Sequence, residues 1–516
     1  MPRHLFFYYA VLICVLSICS CSSGAATDDQ KGAVGPLKGT TSIDGAKWEE
    51  MQCVEGSVTS LRVPSLVEVD GDVFAVAEAQ YKKKGSEEAV SVAGIASVLL
   101  KEGEAGPTEI STVGTSFLHM QLLKGSDAAE KATEIMQPTT IVVGNDVYML
   151  LGNYSRTTPK AEASGKDGWK LLLVKGTVSR TSNEEKKIQW GETHAVQLES
   201  RIHGSLTRLV GGGGSGVVLQ DGSLVFPMQA TDTKNGKGVF LAMQLTQVEN
   251  KWELSRQMAE IGGYRDPAIV EWDDDEKLLA LVPCKDGYYD VYKGLGAGRS
   301  WHPVREPISR VWGNSLKRQG EGVRSGFITA AIEDKKVMLL TLPAYSEEKG
   351  KGQLHLWVTD NARVHDVGPV SNEEHDAAAS SLLYRKKRNK EDELVLLYEK
   401  KNDADDSFSL VSVRLTDKLP WIKEVVKTWK EMDAALKSCT SGGTFDPRAK
   451  GMCNGPIPTE GLVGFLSNTL TDGTDAGTVW VDEYLGVNAT VKTGELASDE
   501  WGVTFKGVGA GRSGRW

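Results

Sequence analysis

One unit recurs along this 516-residue chain and restricts the fold more than any other feature: an apolar strand, a tight polar turn, then a second apolar strand. It occurs over Leu66–Ala79 around Asp70-Gly71, Thr140–Gly152 around Gly144-Asn145-Asp146, and Val217–Met228 around Asp221-Gly222. It returns over Ala268–Val282 around Asp273-Asp274-Asp275, Ile328–Leu342 around Glu333-Asp334-Lys335, and Ser380–Tyr398 around Arg385–Asp392. Short turns that match the strand twist need residues tolerating positive φ, so Asp-Gly and acidic pairs between apolar runs predict hairpins. Near-continuous runs such as Val337-Met338-Leu339-Leu340 predict strands buried on both faces. Six hairpins at spacings of roughly 50 to 75 residues predict a mainly β fold, a six-bladed β-propeller whose hairpins lie next to the axis. A pair of large β-sandwiches is the alternative, and the persistence of one repeat from Leu66 to Tyr398 favours the propeller.

The pattern changes after the sixth hairpin. From Trp421 to Lys437, the apolar residues Val425, Val426, Trp429, Met432, Ala435 and Leu436 fall on one face of an amphipathic helix. A Ser/Thr/Gly/Pro-rich connection follows from Ser438 to Pro458, and Leu462–Ser467, Val479-Trp480 and Val503–Phe505 predict further strands. The expected organisation is a leader at 1–26, a flexible segment at 27–45, the propeller at 46–418, a connecting helix at 419–440, and a linker with a short last segment at 441–516.

Composition excludes some functions. The formal net charge is -10 and no long Lys/Arg run offsets it, so a nucleic-acid partner, which needs a basic face, is not expected. Arg3 and His4, the apolar run Leu5 to Cys19, and Gly24-Ala25-Ala26 predict a secretory signal, with an uncleaved anchor as the alternative. No second apolar stretch has spanning length and no hydrophobic tail signals a lipid anchor, so a secreted or cell-surface location is expected. Beyond the leader the cysteines are Cys53, Cys284, Cys439 and Cys453. Cys439 and Cys453 close a short polar loop and are the expected disulfide; the pairing of Cys53 and Cys284 stays open. No metal-ligand spacing occurs among Cys and His, and no cofactor is implied. Gly211–Gly214 lacks a following G-K-[ST] and is expected to be a turn. Asn153 and Asn488 are glycosylation acceptors in a secreted chain. Lys386, Lys387, Arg388 and Lys390 form a basic hairpin tip, read as a solvated turn or as a contact for an anionic glycan.

Leu61-Arg62-Val63-Pro64 before the first hairpin resembles the arginine-proline signature that opens the sialidase propeller in the trypanosome trans-sialidase superfamily. Ser309–Gly313, Leu354–Asn361, Ala378–Tyr384, Gly461–Ser467 and Asp482–Ala489 resemble the same family. The resemblance implies a sialidase-type six-bladed propeller, a connecting helix, and the truncated start of a lectin-like β-sandwich. Gly294-Leu-Gly296-Ala-Gly298-Arg-Ser300-Trp301 occupies the place of the family's Asp-box on an outer blade turn, and Val248–Trp252 looks like a more eroded copy.

Sialidase chemistry needs three arginines to grip a carboxylate with planar forks, a tyrosine nucleophile activated by a glutamate, and an acid for the leaving oxygen. Carried onto this chain, the first arginine is Arg62 and its supporting glutamate is Glu399. The second falls at Pro283 and the third near Lys351. The acid falls at Ser86, with Glu87 or Glu88 beside it, the nucleophile at Ala379, and its carboxylate partner at Asp266. A pocket arginine becomes Gln80 and a pocket aspartate becomes Gln137; the acceptor-site aromatics are replaced around Lys160 or Ala161 and Lys349. Arg62 with Glu399 is expected to persist as a buried ion pair, a remnant of a sialic-acid pocket.

These replacements predict a non-catalytic surface or secreted glycoprotein. By resemblance, its partners are host cell-surface or extracellular-matrix glycoproteins, with sialoglycans among the candidates, in adhesion and immune evasion. Polar stretches at Ala161–Asp167 and Ser182–Lys187 are expected as exposed variable loops. The alternatives are a weak sialic-acid lectin, an active exo-α-sialidase, and a fragment from a disrupted gene, since Gly507–Gly511 resembles the passage into the family's lectin domain.

Overall fold

A computed structural model describes residues 33–51, 56–83, 91–101, 106–113, 117–124, 131–132, 135–153, 171–180, 185–199, 206–249, 251–256, 263–273, 277–284, 287, 289–304, 308, 322–345, 350–387, 391–404, 406–437, 466–467, 479–482, 489–499 and 502–514. Six mainly antiparallel sheets occupy successive stretches of the chain, and each contains a pair of adjacent strands at or near a predicted hairpin. Blade one is built on Gly56–Val69 and Asp72–Lys83, with Asp70 and Gly71 turning at positive φ. Blade two is built on Met136–Val143 and Asp146–Gly152. Blade four uses Ala268–Asp273 and Lys277–Pro283, and blade five Gly326–Ile332 and Lys335–Tyr345, joined by Glu333 and Asp334, both at positive φ. Blade six uses Asp376–Arg385 and Glu393–Lys401.

Blade three departs from the expected pairing. Val217-Val218 contributes only two rungs to Leu224–Asp232, and the rest of that same edge is filled by Leu206–Gly211. The glycine run is therefore not a hairpin turn. Gly211 ends a strand of blade three, while Gly214-Ser215 pairs in parallel with Thr139-Thr140 of blade two. Glycine is required because a Cβ at Gly212 would strike the Pro267 carbonyl and one at Gly214 would strike the Arg324 guanidinium.

The segment expected to be flexible at 27–45 is packed over its described part. Thr40–Ser42 adds an edge strand to blade two, and Val34 is buried against blade three. Lys186 and Lys187, expected in a variable loop, enter the strand Lys186–Val196 and pair with Asp72 and Glu50. The degenerate box of blade four forms an outer turn: Gly296, Ala297 and Gly298 hold positive φ, and Trp301 is buried and donates to the Gly298 carbonyl at 3.0 Å. Trp252 ends the eroded copy, fully buried against Phe226 and donating to the Pro36 carbonyl.

The helix runs Leu419–Lys437, with Pro420 in its first turn, where its missing N–H has no partner to lose. Leu419, Ile422, Val425, Val426 and Trp429 recur at helical spacing and bury one stripe against the core shared by blades five and six. Full burial of side chains of this size contributes about 1.5–3 kcal/mol each. Beyond it, Leu466-Ser467, Val479–Asp482, Ala489–Asp499 and Gly502–Gly514 form a separate four-stranded sheet. Cys439, Cys453 and Asn488 lie outside the described residues, as do Cys53, Ser86, Lys160, Ala161 and Lys349. Cys284 is a buried free thiol. Asn153 is half-buried at the end of a blade-two strand.

Candidate functional site

The inner strands converge on a cavity of about 270 Å³ at the axis, and the same backbone device aims several of its side chains. Val63, Gln137, Arg208 and Asp266 all line it and all adopt positive φ, at 57°, 55°, 51° and 44°. Left-handed backbone is rare outside glycine, and a β-branched valine there is an outlier. At blade one the ladder slips between Arg62 and Ser65, forming a bulge. Pro64 sits inside that bulge, so its missing N–H withdraws no ladder bond. Pro138 and Pro267 follow Gln137 and Asp266 in the same way. The arginine-proline signature is thus a bulge that turns the strand Gly56–Val69 partway along its length at the cavity.

Arg62 and Glu399 meet at this cavity. The Val63 amide donates to Glu399 Oε1 at 2.7 Å, while Arg62 Nε stands 3.7 Å from the same oxygen. Glu399 is 2% exposed but Arg62 is 43% exposed, so the expected buried pair is buried only on its acidic side. Arg62 also lies over the Phe408 ring, 4.3 Å from its centroid. Burial pushes the Glu399 carboxyl above its usual range, with Arg62 and the Val63 amide pulling the other way.

Asp266 lines the cavity with its acceptors engaged. Its Oδ1 accepts from Gln137 Nε2 at 3.2 Å and Gln229 Nε2 at 3.1 Å; its Oδ2 accepts from Arg265 Nε at 3.1 Å. Gln137 also ties blade two to blade one, its amide donating to Glu78 Oε2 at 3.1 Å. Ala379 lines the cavity from a bulge between Ala377 and Ser380. Pro283 and Lys351 are not among the lining residues. Pro283 ends a strand and its carbonyl accepts from the Arg265 amide, whereas Lys351 pairs with Asp403 and donates to the Glu374 carbonyl. Gln80 sits within the blade-one ladder, opposite Ser60 and Ala93, and is not among the lining residues either.

The sequence reading missed three cations that the structure places here: Arg208, Arg265 and Arg324. Arg324 is 6% exposed, and its Nη1 donates to the carbonyls of Gly212 at 2.9 Å and Pro267 at 2.7 Å. Burial lowers its pKa to about 10, against the pull of Asp266. The motif carrying Arg265, Arg-Asp-Pro, holds a usable signal in its proline; Arg208 and Arg324 carry none beyond nearby glycines. At the basic hairpin tip, Lys387 pairs with Glu393, as does the preceding Arg385. No group of Cys, His, Asp and Glu among the described residues could hold a metal, and no described helix is long and apolar enough to cross a membrane.

Comparison with known proteins agrees with this arrangement. Residues 63–399 match the BNR repeat-like domain, and residues 458–516 match the trans-sialidase C-terminal domain. A Trypanosoma cruzi protein named sialidase 85-1.1 is 32% identical over 460 residues, covering 86% of this chain and 56% of the relative. A second Trypanosoma cruzi sialidase is 28% identical over 450 residues, covering 85% of this chain and 36% of the relative. This chain therefore spans 36% to 56% of the length of these curated relatives. Trypanosoma rangeli sialidase in complex with sialic acid superposes with a TM-score of 0.68 at 30% identity, covering 93% of this chain and 73% of that one. With a sialidase-type propeller, an axial arginine backed by a buried glutamate, and these relatives, the chain belongs to the trypanosome trans-sialidase/sialidase superfamily.

Proposed function

We propose that this member is a non-catalytic surface or secreted glycoprotein that acts by binding, in adhesion to host cells or matrix and in immune evasion. The observation that supports it most is the content of the axial cavity. Ala379 stands where the resemblance assigns the nucleophile, and no Tyr, Ser, Thr, Cys or His is among the described lining residues. Retaining glycoside hydrolysis needs a nucleophile and a proton donor in one pocket, and removing the nucleophile alone lowers the rate by orders of magnitude. Asp266, in the activating position, is shared among two amides and a guanidinium. The proposal predicts no release of fluorophore from a sialoside of 4-methylumbelliferone above a heat-inactivated control, with a catalytically active family enzyme run alongside. Turnover that tracks the folded protein would overturn it.

A second reading, weak sialic-acid binding, is favoured by one observation: Arg62 remains half-exposed at the cavity with Glu399 beneath it. Titration with sialyllactose, followed by NMR of the native protein and Arg62→Ala, separates the two. Saturable shifts lost in the variant support the lectin reading.

A further inference from the structure

The cavity's charge does not match the clamp expected from the family signature. Among the described residues, four guanidinium groups (Arg62, Arg208, Arg265 and Arg324) line it against three carboxylates, Glu78, Asp266 and Glu399. The carboxylates are engaged on at least one oxygen: Glu78 with the Gln137 amide, Asp266 with three side-chain donors, and Glu399 through Oε1 with the Val63 amide and, at 3.7 Å, Arg62, while its Oε2 is buried with no hydrogen-bond partner among the described residues. Two of the cations are less engaged. Arg208 meets no acceptor among the described residues, although its backbone is held in the left-handed region at the cavity. Arg324 is buried with Nε unpartnered. Arg324 also lines a second cavity, of about 320 Å³, bounded by residues of blades two to six. An unpaired buried N–H carries a desolvation penalty, larger on a charged group, so an acceptor delivered to it stabilises the complex.

We propose that the axial cavity binds a tetrahedral oxyanion, a sulfate or phosphate ester on a small polar ligand such as a sugar, seated among Arg62, Arg208 and Arg324. A carboxylate offers only two oxygens in one plane, which three guanidinium groups must share, as in the family's clamp. Here the cations arrive from blade one, blade three and the chain entering blade five. A sulfate or phosphate presents three free oxygens in divergent directions and meets guanidinium groups from all three. The inference relies on the proposed function only in treating the cavity as a binding site and not a turnover site.

Galactose 6-sulfate and galactose 6-phosphate are titrated calorimetrically into the full-length protein, with sodium chloride at matched ionic strength and N-acetylneuraminate as comparisons. Saturable heats are expected from at least one ester and none from chloride, and the tighter ester identifies the group. Arg208→Ala removes a side chain with no partner among the described residues and is expected to keep the wild-type circular dichroism and Tm. It is expected to weaken ester binding at least about tenfold, equivalent to about 1.4 kcal/mol. Equal affinity in the variant, no saturable heat from either ester, or tighter binding of N-acetylneuraminate would each overturn the proposal. None of these outcomes alters the fluorogenic assay, so failure here and failure of the non-catalytic reading are distinguishable.

Discussion

His119 is buried, 4% exposed, with neither ring nitrogen hydrogen-bonded, and its ring centroid lies 5.3 Å from that of Tyr81. Burial holds its pKa down to about 4, against about 6.5 for an unfolded histidine. Between these values the unfolded chain binds the proton and the folded one does not. Stability is therefore intact above about pH 6.5, falls as pH drops toward 4, and changes little further from this residue below that. The slope approaches about 1.4 kcal/mol per pH unit within the window. His365 and His375 are lowered in the same direction, so the test is differential. Urea midpoints at pH 5 and pH 7 should differ less in His119→Phe than in the wild type; equal differences would refute the assignment. The strand Phe117–Lys124 was not among the predicted hairpins, and a lone histidine beside apolar residues does not announce its burial. More of the site was readable in three dipeptides. Val63-Pro64 marks a bulge within a strand, and Gln137-Pro138 and Asp266-Pro267 mark strand starts, all at the cavity. Arg208 and Arg324 were not readable, because their placement follows from the glycine crossover between blades three and two, a pairing that local pattern does not encode.

At the scale of elements, the helix Leu419–Lys437 was legible from its apolar spacing, but its anchorage was not. Arg363 is buried in a turn of blade five and pairs with Asp360 at 3.0 Å and with Asp433 of the helix. Lys335 adds 2.8 Å and 3.2 Å contacts to the same two carboxylates, and the Arg363 guanidinium lies near the Trp429 ring. Burial works against the Asp433 charge, yet Arg363 and Lys335 hold its carboxyl below the usual range. These partners come from three separate stretches, so no motif links them. Breaking a buried ion pair on one side strands the other charge and destabilises by about 3–5 kcal/mol. Arg363→Met should lose stability of that order in chemical denaturation, while Lys335→Ala, at a more exposed site, should lose about 1 kcal/mol or less. Similar losses in the two variants would show that the helix is held by its apolar stripe alone.

For the whole molecule, the hairpin repeat specified how many blades form but not how the ring is closed. Blades four and five each use four strands of consecutive chain. Among the described residues blade six has three of its own, Asp376–Arg385, Glu393–Lys401 and Phe408–Arg414, and its fourth is Thr108-Glu109, borrowed from within blade one. The Ile110 amide donates to the Leu410 carbonyl at 2.8 Å, and Lys400 pairs with Glu109 at 2.9 Å. A two-residue strand carries little pattern, which is why the closure escaped the sequence reading. Its position joins the earliest blade to the last, so the seam is fastened only when most of the chain has folded. Ile110→Pro removes the amide donor and the partly buried side chain that packs against the core of blades one and six. Loss of a buried hydrogen bond and of apolar contact together is expected to destabilise by about 2–4 kcal/mol. The loss should be local in hydrogen exchange. Protection should fall in 408–414 and 117–124 on either side of the seam, and hold in 238–245 of blade three. A uniform fall across all three segments would mean that the ring opens as one cooperative unit, and the idea of a discrete clasp would be abandoned.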